Sequence, residues 1–470
     1  MSFETGEAVH MRGRRFHENA NEIYRLPSFD YLSEDALKKF IEKHETEQVP
    51  RLKKLKDYFL NHTDIKCRND RADEERADYR MSHNFARYIS ILIQGYILGK
   101  PITYNHENEN LLTALNEFND RNKEQSHNSN LELNLSIYGR AFELVYTNQQ
   151  SEECMAIVDP IQAFLIYDTT VEGNVIAGVR YFNVQIGEDV KRFIEVYDGQ
   201  KIYKYQSGEN LENMRLTGEQ QHYFEGVPLI EYWNNDDRIG DFETVLDQID
   251  GYDVSQSDTL NGMEDFADSY LVLAGQPNTE SEDIQEMRKS RVIVLDDPTN
   301  EGVQPNAFYL TKTYDVAGEE AFKNRTVNDI HKFSFTPDLS DEEFSSNVSG
   351  EAMKYKLFIL DQLRSTKERL FKEALMVRLR LVAQMWKIKR KDANIDDLEI
   401  VFTPNLPTNT SELVQTAKDV TGIVSEETQL SILPFVEDVQ AEIERKKAES
   451  REQQDMYEQQ PLFKQGGLNG

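Results

Sequence analysis

Residue types that can carry chemistry are abundant in this chain, but few stand at the spacings chemistry requires. Gly95-Tyr96-Ile97-Leu98-Gly99-Lys100-Pro101 approaches a phosphate-binding loop. It is one residue short, ends in Pro where Ser or Thr is needed, and follows a helical rather than a strand pattern. A helix stop and turn accounts for it, because Pro cannot continue a helix. The chain has no His-Glu-x-x-His and no Gly-x-Ser-x-Gly, and its nine histidines are scattered. His83, beside Asn84 and Phe85, reads as a packed or capping residue at a helix start rather than a general base. Neighbouring acids such as Asp236-Asp237 and Asp296-Asp297 arise by chance among 84 Asp and Glu. A two-metal nuclease site would need carboxylates gathered from separate elements. No catalytic residue, metal ligand or cofactor site is assigned.

Charge narrows the field. The 470 residues carry a formal net charge of −31. Such a chain repels DNA phosphate, so tight binding by phosphate neutralisation is not expected. DNA that must slide past without adhering remains compatible with it. Cys67 and Cys154 are too few for a disulfide framework or a cysteine-rich zinc site and read as reduced thiols. Met1 to Phe16 lacks the apolar stretch of a secretory signal, and Tyr88–Leu98 is too short to span a bilayer. The expectation is synthesis and assembly in cytoplasm, away from membranes.

The elements that would position any site follow from periodicity. Short helical patterns run from Ser33 to Lys43 and from Pro50 onward, the second carrying Leu52, Leu55, Tyr58 and Phe59 on one face. Asn84–Leu98 is a strongly apolar helix. From Leu131 to Tyr232 the pattern reads as β-rich, with alternation at 141–146, 163–167, 175–182, 193–197 and 202–205. Residues 241–275 then read as one long helix with nine acids and no Lys or Arg, among them Asp247, Asp250, Asp253 and Asp258. A small β-α-β pattern follows: Tyr270–Ala274, Ser281–Ser290 and Arg291–Leu295. A second helix runs from Ala317 to Phe335, and a Ser/Asp/Asn loop continues to Gly350. The helix from Glu351 to about Trp386 repeats Phe371, Leu375, Leu379, Val382 and Trp386. Residues 351–391 hold twelve basic and four acidic side chains. Arg364, Lys367, Arg369, Arg378 and Arg380 are expected against acidic neighbours, because opposite charge is plentiful in the same chain. The fold class is mixed α+β.

Several stretches, in order, resemble the portal proteins of siphophages from Gram-positive hosts. They are Tyr79-Arg-Met-Ser-His-Asn-Phe-Ala-Arg-Tyr-Ile89 with Gln94-Gly-Tyr-Ile-Leu-Gly-Lys-Pro-Ile102, Leu133-Asn-Leu-Ser-Ile-Tyr-Gly-Arg-Ala141, Ala177-Gly-Val-Arg-Tyr181, Glu231-Tyr-Trp-Asn-Asn235 leading to Gly240-Asp241, Ser349-Gly-Glu-Ala-Met-Lys-Tyr-Lys356, and Ile423-Val-Ser425 through Leu433-Pro-Phe-Val436. The resemblance covers residues 50–448. It implies a non-enzymatic ring of about twelve subunits, closed by cyclic symmetry, at one vertex of the virion capsid. Double-stranded DNA would pass through the ring during packaging and ejection, with no sequence preference. The implied partners are further copies of the chain, the terminase large subunit, a head–tail adaptor, scaffolding protein and major capsid protein.

The family's parts map as wing 1–240, first stem helix 241–269, clip 270–314, second stem helix 315–335, tunnel loop 336–350, long wing helix 351–399, and crown with C-terminal tail 400–470. The resemblance makes Asp338, Asp341, Glu342, Glu343, Phe344, Ser345, Ser346 and Asn347 a loop near DNA. It makes Asp247, Asp250, Asp253 and Asp258 channel charges, with Lys323, Arg325 and Lys332 as their candidate partners. Glu282, Gln285 and Arg288 are candidates for docking the adaptor or terminase. The alternatives are a carboxylate- and metal-dependent phage nuclease, or another structural head protein.

Overall fold

The computed structural model describes residues 23–69, 77–187, 189–267, 270–274, 292–295, 306–310, 316–339, 350–389, 393–405, 410–433, 435–436, 439–440, 442–443 and 445–448. It is a mixture of helices and sheets and falls into two compact units, 1–338 with 358–405, and 339–357 with 406–470.

In the first unit, α1 (Glu34–Lys43) starts where the Ser33 side chain accepts the Ala36 N–H, satisfying a donor that no helical carbonyl reaches. A wide turn, His44–Gln48, leads into α2 (Val49–Phe59), with Pro50 in its first turn. Asn84 caps α3 (Phe85–Leu98) through the Arg87 N–H, and α3 buries Ala86, Ile89, Ile93 and Ile97. The pair α4 (Glu109–Asn122) and α5 (Glu124–Tyr138) meets at Lys123, in left-handed conformation. Here the β-rich reading from Leu131 is corrected: the chain is helical to Tyr138. Leu131, Leu135 and Tyr138 recur at helical spacing, while Glu124, Asn128 and Glu132 form a second buried stripe that is polar and hides the pattern.

The strands are β1 (Tyr24–Arg25), β2 (Thr103–Asn105), β3 (Arg140–Thr147), β4 (Glu153–Val158), β5 (Ala163–Tyr167), β6 (Val175–Ile186), β7 (Asp189–Tyr197), β8 (Lys201–Gly208), β9 (Arg215–Gln221) and β10 (Leu229–Trp233). Six form a sheet in the order β1-β5-β6-β7-β8-β9, antiparallel except for β1 on β5. A second sheet, β10-β3-β4, is antiparallel. Alternation places Phe164, Ile166, Val179, Tyr181, Ile194 and Val196 in one core with α1, and Phe142, Val158, Leu165, Tyr197 and Leu229 in another.

Two glycines set the junction between α5, β3 and the chain after β10. Gly139 has φ +79°, and a Cβ there would overlap the Arg238 carbonyl. A Cβ on Gly240 would lie 2.6 Å from the Ile137 carbonyl oxygen. Two backbone turns therefore cross with no room for a side chain, which accounts for both glycines in the sequence stretches above. Gly139→Ala is expected to cost at least about 1–3 kcal/mol from the left-handed backbone alone, measured as a lower thermal midpoint; an unchanged midpoint would contradict the crossing.

After a tight turn at Glu243–Val245 comes α6 (Leu246–Ala267), which packs on α7 (Val316–Phe333). Between them a three-stranded sheet has the order β12-β11-β13, with β11 (Tyr270–Ala274) parallel to β12 (Val292–Leu295) and antiparallel to β13 (Asn306–Leu310). The 39-residue α8 (Gly350–Ile388) follows, about 58 Å long at the usual helical rise. β14 (Glu399–Val401) then pairs with β2. In the second unit, α9 (Thr410–Asp419) and α10 (Glu426–Ser431) are tied by Gln429, whose amide donates to the Ala417 carbonyl and to Thr421 Oγ1.

Candidate functional site

The acid-rich helix α6 is joined to the stretch around His83 by an unusual polar seam. Asp253, Ser257 and Asn261 lie one turn apart on one face of the helix. They meet the backbone of His83, Met81 and Tyr79, every second residue of an extended segment. The His83 N–H donates to Asp253 Oδ1 at 2.9 Å, the Met81 N–H to Ser257 Oγ at 2.9 Å, and the Tyr79 N–H to Asn261 Oδ1 at 2.7 Å. The Asn261 amide returns a bond to the Tyr79 carbonyl at 3.1 Å. Four helical residues advance about 6 Å and two extended residues about 6.6 Å, so the two repeats keep step.

Asp253 is the centre of this seam. It is fully buried, and it also accepts from Thr63 Oγ1 at 2.7 Å and faces His83 Nδ1 at 2.9 Å. Nearby, Tyr58 donates to Asp250 at 2.6 Å, and Arg68 meets Asp258 at 3.3 Å. Burial pushes the Asp250 carboxyl above its ordinary value. At the start of the helix Arg51 grips Glu243 with two nitrogens, at 2.6 and 2.5 Å.

These contacts correct part of the sequence reading. Asp253 is not an exposed wall charge, and Asp250 is half-buried against Tyr58; the two hold α6 to Tyr58, Thr63 and His83. Asp247 and Asp258 are exposed, Asp258 with Arg68 beside it. Among the described residues, Lys323 is buried and bonds Glu320 on α7 at 3.1 Å rather than an α6 acid. Arg325 and Lys332 are exposed, with the Lys332 ammonium over the Phe333 ring at 5.5 Å. His83 is the packed, bonded residue expected. Asp338 lies 3.9 Å from His331, whose pKa is lowered by burial against the pull of that carboxylate. Asp341, Glu342, Glu343, Phe344, Ser345, Ser346, Asn347, Glu282, Gln285 and Arg288 lie outside the described residues.

A second polar assembly lies beneath α8. Arg378 is fully buried, donating to Glu143 Oε2 at 2.9 Å and Asn128 Oδ1 at 2.8 Å, with Glu124 at 3.8 Å. Tyr232 and His127 add bonds to Glu143, each at 2.7 Å. Burial raises the Glu143 carboxyl, but Arg378 and His127 outweigh it and hold the group at about 2. Three turns earlier, Lys367 bridges Glu132 and Asp241, each at 2.7 Å. Burial disfavours its charge, yet Asp241 and Glu132 raise its pKa; for Glu132, burial prevails over Lys367 and pushes the carboxyl up. Arg364 pairs with Asp361 and Glu368 along the helix. Arg369 and Arg380 are exposed. The polar stripe on α5 and the bases of α8 are partners, a match the sequence reading did not draw because it missed α5.

Among the described residues no group of three or more His, Cys, Asp or Glu is placed to hold a metal ion, and no helix is long and apolar enough to cross a membrane. Inside this scaffold charged groups neutralise one another and tie α6 and α8 to the elements around them.

Comparison with known proteins gives this scaffold its family. The family model described as "Phage portal protein, SPP1 Gp6-like" matches residues 38–456. The portal protein of Bacillus phage SPP1 is 25% identical over 479 aligned residues, covering 95% of this chain and 93% of its own. That of Clostridium phage phiCD119 is 23% identical over 445, covering 86% and 94%. A solved structure described as the neck of an empty GTA particle computed with C6 symmetry aligns with TM-score 0.41 and 12% identity, over 74% of this chain and 90% of that one. On the match over 38–456, the chain belongs to the phage portal protein family of the SPP1 Gp6-like type.

Proposed function

We propose that copies of this chain close into a ring of about twelve, as cyclic homo-oligomers do, at one vertex of a phage head. Double-stranded DNA passes through it inward during packaging and outward during ejection. The observation that carries this reading is the family match along nearly the whole chain. The chain's charge supports it: at −31 per copy, the ring as a whole repels phosphate, so DNA moves through without adhering.

In this reading α6 and α7 are the stem, β11–β13 belong to the clip, and α8 braces the wing. The loop 336–350 is the part nearest DNA, and the clip residues Glu282, Gln285 and Arg288 meet a head–tail adaptor or the terminase large subunit. Scaffolding and major capsid proteins surround the ring, and ATP hydrolysis belongs to the terminase. The protein works in the virion after assembly in host cytoplasm, and its role is mechanical rather than catalytic.

The test is the mass and shape of the purified protein, by light scattering with negative-stain images of the same peak. The expected particle has about twelve times the 54.7 kDa chain mass and an axial hole. A chain that remains monomeric or dimeric at high concentration would overturn the ring.

A further inference from the structure

Helix α6 leaves one face largely uncovered, with Arg68 reaching it only at Asp258. Asp247, Gly251, Ser255, Asp258 and Gly262 follow one another at three- or four-residue intervals on that face, and all are exposed or half-exposed. The space over Gly251 is open. The stripe is therefore shallow, because three of its five residues have at most a hydroxymethyl side chain, and it carries acids at two levels, Asp247 and Asp258, the second with Arg68 3.3 Å away.

Helix α7 carries the counterpart. Lys323, Thr326 and Ile330 are its buried side. Opposite them, Ala321, Arg325, Asn328 and Lys332 form an exposed stripe with two cations and no acid. The two helices are level-matched by contacts within the chain. Thr259 Oγ1 donates to Glu319 at 3.0 Å. The turn 243–245 also packs on α7, which starts only at Val316, so the helices run antiparallel. Counting from Thr259 and Glu319 at equal rise puts Lys332 level with Leu246, one residue from Asp247. Arg325 falls level with Asp253, between Asp247 and Asp258.

We infer that the α6 stripe of one copy receives the α7 stripe of the next, with Lys332 against Asp247 and Arg325 seated over Gly251 and Ser255 between the two aspartates. The two faces differ, so the contact is heterologous and propagates around an axis until it closes. The inferred contact takes the ring axis along the helix pair; rotation about such an axis preserves height, so residues level within one chain are level between neighbours. The partner is a second copy of this chain, and the inference rests on the ring reading above. It also gives a place to Arg325 and Lys332, which the fold leaves exposed.

The test is charge reversal and exchange in the full-length chain. Asp247→Lys and Lys332→Glu, each alone, are expected to raise the concentration for half-assembly about tenfold or more, since like charges then face each other. The double variant should return to near the wild-type value, and Arg325→Glu should weaken assembly without an exchange partner. Thermal melts of the unassembled chains should be unchanged, because all three positions are exposed. A wild-type ring indifferent to the single reversals, or a double variant no better than the singles, would overturn this contact while leaving the ring reading intact. A wild-type chain that never assembles would remove both.

Discussion

Replacing Asp253 with alanine is expected to destabilise the chain by about 2–5 kcal/mol, the cost of stranding two or more buried donors. The carboxylate is fully buried and receives the Thr63 hydroxyl and the His83 N–H, with the His83 ring against it. Without it α6 would lose the fixed point of its polar seam. The measurement is thermal or urea unfolding under conditions that keep the chain monomeric, set beside Asp247→Ala on the exposed side of the same helix. That second change should stay within about 0.5 kcal/mol. Equal effects from the two aspartates would mean that burial does not separate them, and the anchoring role would fall.

Arg378→Met should be comparably severe, about 3–5 kcal/mol, because it leaves carboxylates buried without their cation. Among the described residues Glu143 then keeps His127 and Tyr232, and Glu124 keeps Tyr104 and Asn128. The companion change Glu143→Gln should recover part of the loss, since an uncharged amide tolerates the site better. The same pair predicts a pH dependence. Glu143 is held at about 2 against its ordinary 4.5, a depressed folded-state value. Its stabilisation is therefore present above about 4.5 and is lost as pH falls from there toward 2. Stability measured across that window should fall in the wild type and fall less steeply in Glu143→Gln; parallel curves would show that another group governs the acid limb.

Much of the architecture was legible because periodicity survives burial. The helices at α1, α2, α3 and α7, the long α8 with its stripe of Phe371, Leu375, Leu379, Val382 and Trp386, and the strands β3 and β5–β8 all follow from residue spacing. The helix α5 did not. Its buried side is half carboxylate and amide, and a polar stripe facing buried bases looks like a solvent face until Arg378 and Lys367 are brought to it. The acids of α6 misled for the converse reason. Nine acids without a base over 241–275 suggested a wall facing solvent or DNA, whereas Asp250 and Asp253 are bonded to Tyr58, Thr63 and His83. Those partners lie some 170–190 residues away in sequence, beyond any local pattern. Gly139 and Gly240 were visible as part of a resemblance, but only the crossing of two backbones supplies their cause.

The seam along α6 has a consequence for how the chain can vary. The helix reads Tyr79, Met81 and His83 through their main-chain atoms, while the Met81 side chain is exposed and the partly exposed Tyr79 side chain bonds Glu264 of α6. The ladder itself is thus nearly indifferent to which residues stand there and strict about how many lie between them. Substitution of Met81 leaves the ladder whole. One inserted or deleted residue shifts the rungs by about 3.3 Å and presents carbonyls where the helix expects N–H groups. Relatives of this chain can drift in letters along the segment far more freely than in length.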